Sequence, residues 1–150
     1  MNLKLIGNLL ISAQFGALAV LALQAWDAWQ PAASHAPAWL LLCVSGMVGL
    51  WALSANRLGN FNIHPTPHPQ GQLVVHGPYR WIRHPMYTAV LLFGAALAIL
   101  AASSVAWPLW CLLLAVLLAK ALLEERWMAQ KHPAYPAYRT RTRRFLPYLL

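Results

Sequence analysis

The residues best equipped for chemistry fall in two short stretches, "GPYRWIRHPMY" over 77–87 and "EERWM" over 124–128. The first holds Tyr79, Arg80, Arg83, His84 and Tyr87; the second holds Glu124 and Glu125, with Lys120 one helical turn earlier. A carboxylate beside cations, an imidazole and phenols suits a ligand that carries charges of both signs, and a fixed cation suits the orientation of an anionic reactant. Pro85 fits the first turn of a helix, where its missing N–H costs nothing. That puts His84 close to the N-cap, with the helix dipole directed at whatever binds there. Carboxylates that directly follow an apolar run sit at a low-dielectric boundary and need partners. Adjacent helical positions point about 100° apart, so one of Glu124 and Glu125 is expected to face the pocket and the other to meet water.

The elements that hold these residues are apolar. Hydrophobic residues make up 60% of the 150-residue chain and charged residues 9%, far less charge than a soluble domain carries. Four apolar segments run near 3–26, 38–55, 86–104 and 105–123, each close to the roughly 20 residues that cross a ~30 Å hydrocarbon core. Stretches such as "AVLLFGAALAIL" and "LWCLLLAVLLA" are apolar on every side, which excludes an amphipathic soluble bundle. The expected fold is all-α, an integral-membrane bundle of four transmembrane helices forming one domain over 1–150. A cytoplasmic loop, 57–85, and a C-terminal tail, 124–150, would form the pocket. The first segment carries Asn8 and Gln14 and lacks a small-residue cleavage site, so it reads as a retained helix rather than a signal peptide.

The charge is one-sided in sign and in place. Eleven Lys and Arg face three Asp and Glu, a formal net charge of +8. A nucleic-acid partner would need a soluble basic face, whereas these cations cap the ends of apolar runs. Lys4 begins the first segment, Arg57, Arg80 and Arg83 lie between the second and third, and the rest lie from Lys120 onward. Four crossings put all of them on one side, which the positive-inside rule makes cytoplasmic, together with both termini. The loop carries prolines at 65, 67, 69, 78 and 85, so it cannot be a single helix, and loops of that length are usually functional. Its "QLVV" piece reads as a short extended stretch leading into a Gly77–Pro78 turn. In "HPTPHP" the prolines deny His64 and His68 the shared helical face of a metal pair, and Cys43 and Cys111 have no metal-like spacing; no metal site is expected.

Plainer readings accompany these residues. Arg80, Trp81, Arg83 and Tyr87 suit interfacial anchoring, as do Tyr135 and Tyr138, and Arg139, Arg141, Arg143 and Arg144 suit a patch for anionic lipids. A haem or quinone protein would account for six histidines, but His35, His64, His68, His76 and His132 lie outside the apolar spans where such ligation needs them. A non-enzymatic membrane assembly protein would account for the small size and basic tail, and would tolerate loss of Glu124.

In "LVVHGPYRWIRHPMY", and in "EERWM" followed by "YPAYRTRTRRFLP", the chain resembles the isoprenylcysteine carboxyl methyltransferases and the related small phospholipid methyltransferases of membranes. The resemblance covers roughly residues 57–150. It departs from the pattern at Ala89 and Pro133, where glycine is frequent, and neither change removes a functional group. The resemblance implies a membrane enzyme that binds S-adenosylmethionine at the cytoplasmic ends of the third and fourth helices and methylates a lipophilic acceptor. That acceptor would be a carboxylate of the isoprenylcysteine kind, with a phospholipid amine as the alternative. It further implies that Leu73, Val74, Tyr79, His84, Tyr87 and Glu124 line the cofactor, and that Arg83 and Lys120 act on the reacting groups. The chain agrees in lacking the glycine-rich strand-to-helix fingerprint of soluble nucleotide-binding folds. An ionised carboxylate acceptor needs only orientation by Arg83 or Lys120; an amine needs His84 or a glutamate to take its proton.

Overall fold

A computed structural model of the chain describes residues 3–28, 35–56 and 72–147. Arg57, His64 and His68 lie outside them, as does the whole 57–71 part of the expected loop. The described residues form five α-helices: α1 (Leu3–Asp27), α2 (Ala36–Ala55), α3 (Pro85–Ala101), α4 (Ala106–Lys131) and α5 (Tyr135–Arg141). A 3-10 turn, Gly77–Arg80, precedes α3, and residues 72–75 before it have no regular structure.

Three helices, α1, α2 and α4, are long and apolar enough to cross a membrane, while α3 is apolar but shorter, at 17 residues. At 1.5 Å per residue α3 is about 26 Å long. It is the central helix, packed on α1, α2 and α4. Its buried surface is dominated by small side chains, among them Thr88, Ala89, Gly94, Ala96, Ala98 and Ala101, which let neighbouring helices approach closely. A Cβ on Gly94 would come within 2.8 Å of Leu113 Cδ2 on α4. Ala89 is accommodated across the α2 contact by Gly49, whose own added Cβ would lie 3.6 Å from it. Ser45 of α2 donates to the Ala89 carbonyl at 2.8 Å, and the Trp110 indole of α4 donates to the Leu91 carbonyl at 2.9 Å; such bonds are worth about 0.6 kcal/mol each inside a membrane. Outward, the helices present large apolar side chains such as Leu9, Leu23, Leu40, Leu50, Phe93 and Leu112.

Gln14 meets Lys120, Ala17 shares a core cluster with Leu113, Leu117 and Ala121, and Leu21 and Ala25 share one with Ala106, so α1 runs antiparallel to α4. The Gly77 turn abuts Ala55 at the end of α2. One end of the bundle therefore gathers the start of α1, the end of α2, the start of α3 and the end of α4. Lys4, Arg80, Arg83 and every described cation from Arg126 onward lie at this end. Gly77 has φ +59, and a Cβ there would meet the Ala55 methyl at 2.6 Å, so only glycine lets the turn sit so close to α2.

Two boundaries differ from the sequence reading. The fourth helix runs to Lys131 rather than ending near 123, because "EERWMAQK" consists largely of good helix formers that continue α4 beyond its apolar part. Glu124 and Glu125 therefore belong to α4, and the free tail begins at His132. Residues 72–75, expected to be an extended lead into the Gly77 turn, carry no strand assignment, and among the described residues extended pairing occurs as one parallel bridge between Ile82 and Arg143.

Candidate active site

The tail is stitched to the residues just before α3. Arg83 N–H donates to the Arg143 carbonyl at 2.7 Å, His84 N–H to the Arg144 carbonyl at 3.0 Å, and Arg143 N–H to the Trp81 carbonyl at 3.0 Å. The Thr88 hydroxyl, one turn into α3, donates to the Phe145 carbonyl at 2.6 Å. Tyr138 of α5 donates to the Tyr79 carbonyl at 2.6 Å. Loop and tail thus form a lid across the ends of α3 and α4.

Glu125 lies under this lid and is 4% exposed. Arg83 Nε reaches its Oε1 at 3.0 Å, Arg144 reaches both oxygens at 3.0 and 3.3 Å, and Arg139 approaches at 3.8 Å. Arg83 also donates to the Thr142 carbonyl and, at 3.3 Å, to the Thr142 hydroxyl and the Arg139 carbonyl. The expectation that one of the two glutamates meets water is corrected here, because Glu125 is enclosed by guanidinium groups from the tail. Arg83, expected to act on the reacting groups, has its guanidinium turned into this cluster.

His84 is the N-cap residue of α3, with Pro85 following. Its Nδ1 is 3.4 Å from Glu124 Oε2 and its Nε2 is 3.5 Å from Glu125 Oε1, charge-pairing distances without good hydrogen-bond geometry; among the described residues the buried Nε2 has no hydrogen-bond partner. Burial opposes charge on this imidazole, but Glu124 and Glu125 together outweigh it and hold the His84 pKa above its ordinary value. The ring stacks on Tyr87, centroids 5.3 Å apart and planes within 5°, with Phe145 tilted against both. Tyr87 donates its hydroxyl to Glu124 Oε1. Glu124 is the more open carboxylate, its side chain 23% exposed.

Below Tyr87, towards the bundle centre, is Lys120. It is 1% exposed, donates to Gln14 Oε1 at 2.7 Å and lies 5.2 Å from the centre of the Tyr87 ring. Its partners are thus a neutral amide and an aromatic face, and among the described residues it has no ion pair. Burial pushes the Tyr79 phenol up to about 12, against a hydrogen bond with Asn56, and Glu124 adds to the rise. Leu73 and Val74 are half-buried in the irregular segment before the turn.

The structure therefore brings His84, Tyr87, Glu124 and Lys120 into one chain of contacts, with Tyr79 in electrostatic range of Glu124, and directs Arg83 elsewhere. Sequence reasoning missed Gln14, Glu125 as the centre of the lid, and Thr142, Arg139 and Arg144 as its partners. The signal available for Glu125 is the basic run that follows it.

Long apolar helices with one charged, lidded end describe a membrane protein. A family model described as phospholipid methyltransferase matches residues 34–134, and the chain belongs to that family. Membership makes it a methyltransferase of the membrane, in a family that generally uses S-adenosylmethionine. No curated protein matches the chain. The match takes in α2, α3, α4 and the 77–87 segment, and leaves out Gln14 and the tail arginines.

Proposed function

We propose that the protein spans the cytoplasmic membrane four times as a single domain, with α3 as its short fourth span and both termini cytoplasmic, and that it transfers a methyl group from S-adenosylmethionine to a lipophilic carboxylate. The residues fit the cofactor's methionine end, which carries an ammonium and a carboxylate. Glu124, partly open, suits the ammonium, and His84, whose pKa its two carboxylates raise and whose Nε2 makes no hydrogen bond among the described residues, suits the carboxylate. Tyr79, Tyr87, Leu73 and Val74 supply aromatic and apolar walls. When bound, the cofactor provides a methyl group already activated by its sulfonium.

The observation that carries the acceptor's identity is Lys120, a buried ammonium with no ion pair among the described residues. A buried cation left unpaired is costly, and an anionic acceptor entering from the bilayer offsets that cost while being oriented by it. A carboxylate is already ionised at neutral pH and asks no residue to take a proton. Arg83 then acts as a positioning residue through Glu125 and the lid.

The family's description favours a second reading, N-methylation of an amino-phospholipid. Lys120 would then hold the phosphate, and His84 or a glutamate would accept the amine's proton. Purified protein given labelled S-adenosylmethionine and a panel of prenylated carboxylates and amino-phospholipids tests both. Label in a base-labile ester supports the first, label in the headgroup amine supports the second, and transfer to neither removes both.

A further inference from the structure

Beside Glu125, α4 meets the tail around a cavity of about 500 Å³ whose lining does not include His84. Leu122, Arg126 and Ala129 line it along one face of α4, and Arg139, Arg144 and Glu125 close it. Leu122 lies one turn towards the apolar part of the helix from Arg126, so the cavity is apolar on its bilayer side and basic on its cytoplasmic side. Three guanidinium groups share it with one carboxylate. That carboxylate is already held by Arg83 and Arg144 at 3.0 Å each. Arg139 reaches it only at 3.8 Å with a side chain 57% exposed, and Arg126 is exposed and makes no ion pair among the described residues. Two cationic groups thus remain with little anionic charge to meet them, at the level where α4 leaves its apolar run.

We propose that this cavity binds the headgroup phosphate of an anionic phospholipid, with Arg126 and Arg139 as its direct partners and an acyl chain lying along Leu122. Guanidinium forks match phosphate oxygens in geometry as well as charge. A zwitterionic lipid fits worse, because Glu125, the one carboxylate lining the cavity, is occupied by arginines and cannot receive its ammonium. The structure divides the basic run of the tail accordingly: Arg139 and Arg144 line the cavity, whereas Arg141 and Arg143 are exposed and do not. The site does not depend on the methyl-transfer reading, since it shares none of the residues proposed to touch cofactor or acceptor.

Native mass spectrometry of the purified protein, carried in a mixture of phosphatidylglycerol and phosphatidylcholine, tests the assignment. Phosphatidylglycerol should be retained in preference, and Arg126→Gln and Arg139→Gln should each cut its retention by about fivefold, as expected for one arginine at a lipid surface. Arg141→Gln and Arg143→Gln remove the same charge and should have less than about half that effect. Equal losses from all four would overturn the site in favour of a diffuse basic field, and equal retention of the two lipids would overturn it outright. Excess inorganic phosphate should leave the lipid bound; displacement would assign the cavity to free phosphate instead. Arg126 makes no hydrogen bond or ion pair among the described residues, so Arg126→Gln should unfold at the wild-type temperature in neutral detergent, and retention lost without a stability change counts for the site.

Discussion

Arg83 and Glu125 stand 42 residues apart in the chain and meet with Nε and Oε1 3.0 Å apart, both side chains nearly sealed from solvent. A guanidinium tied into that pair, and into Thr142 as well, fastens the tail to the start of α3 and is not free to follow a reacting group. Removing one partner of a buried pair leaves the other charge uncompensated, which costs about 3–5 kcal/mol. Arg83→Ala and Glu125→Ala should each lower the unfolding temperature in detergent by that mechanism. Arg80 is exposed and lies 4.8 Å over the Trp81 ring, so Arg80→Ala should change stability by no more than about 0.5 kcal/mol. Similar losses at Arg80 and Arg83 would mean that the seam does not depend on the buried pair.

The two adjacent glutamates should separate by assay. Glu124→Gln should weaken S-adenosylmethionine binding about tenfold or more, roughly 1.4 kcal/mol, and leave the fold standing, because its contacts are with Tyr87 and His84 near the open face. Glu125→Gln should instead loosen the lid, visible as faster proteolysis of the tail. Calorimetry and limited digestion on both variants check this, and a stable Glu125→Gln with wild-type digestion would sink it.

His84 gives stability a pH dependence of definite sign. Its folded pKa is raised above the unfolded value of about 6.5, so the folded state binds the proton more tightly. Its contribution is complete below the unfolded value and is lost as pH rises through the raised one. Glu124→Gln removes one of the two carboxylates that raise it and should move this loss to lower pH. Melting curves across neutral pH check the direction; stability that climbs through this window in wild type and stays flat in His84→Phe would refute it.

Much of this was legible in the chain, for physical reasons that also mark the limit. Pro85 announces a helix start, so His84 could be put at its N-cap from sequence. Apolar runs announce helices, but hydropathy marks where a helix stops being apolar, not where it stops being helical, so the helix is legible through Glu125 and its extension to Lys131 is not. The adjacency of Glu124 and Glu125 says that they point apart; which one is enclosed depends on Arg144, brought back by the tail fold. The Gln14–Lys120 bond spans 106 residues, and no local pattern links an amide in one apolar helix to an ammonium in another.

The proposed topology follows from the cationic end of the bundle. A reporter fused at Ser104, in the turn between α3 and α4, should read as non-cytoplasmic, and one fused after Leu150 as cytoplasmic. Because α3 is the short helix, Ser104 is the informative position: a cytoplasmic reading there would mean that α3 and α4 enter without crossing.

Gln14 and Lys120 should behave as one unit. The ammonium is 1% exposed and its direct hydrogen bond goes to Gln14 Oε1 at 2.7 Å, so Gln14→Leu leaves a buried donor less satisfied, at a cost of about 1–3 kcal/mol. Lys120→Met removes the charge that needed the bond, and Gln14→Leu added to it should then cost much less, a non-additivity that a thermal unfolding cycle measures directly. In turnover, Lys120→Met should raise KM for a carboxylate acceptor by about tenfold, roughly 1.4 kcal/mol, with cofactor affinity unchanged, because it removes ground-state orientation of the acceptor. Gln14→Leu should raise the same KM by a smaller factor in the wild-type background and have no further effect beside Lys120→Met. If instead the two substitutions add fully in both stability and KM, Gln14 packs α1 against α4 on its own account and the buried ammonium is not the element that receives the acceptor.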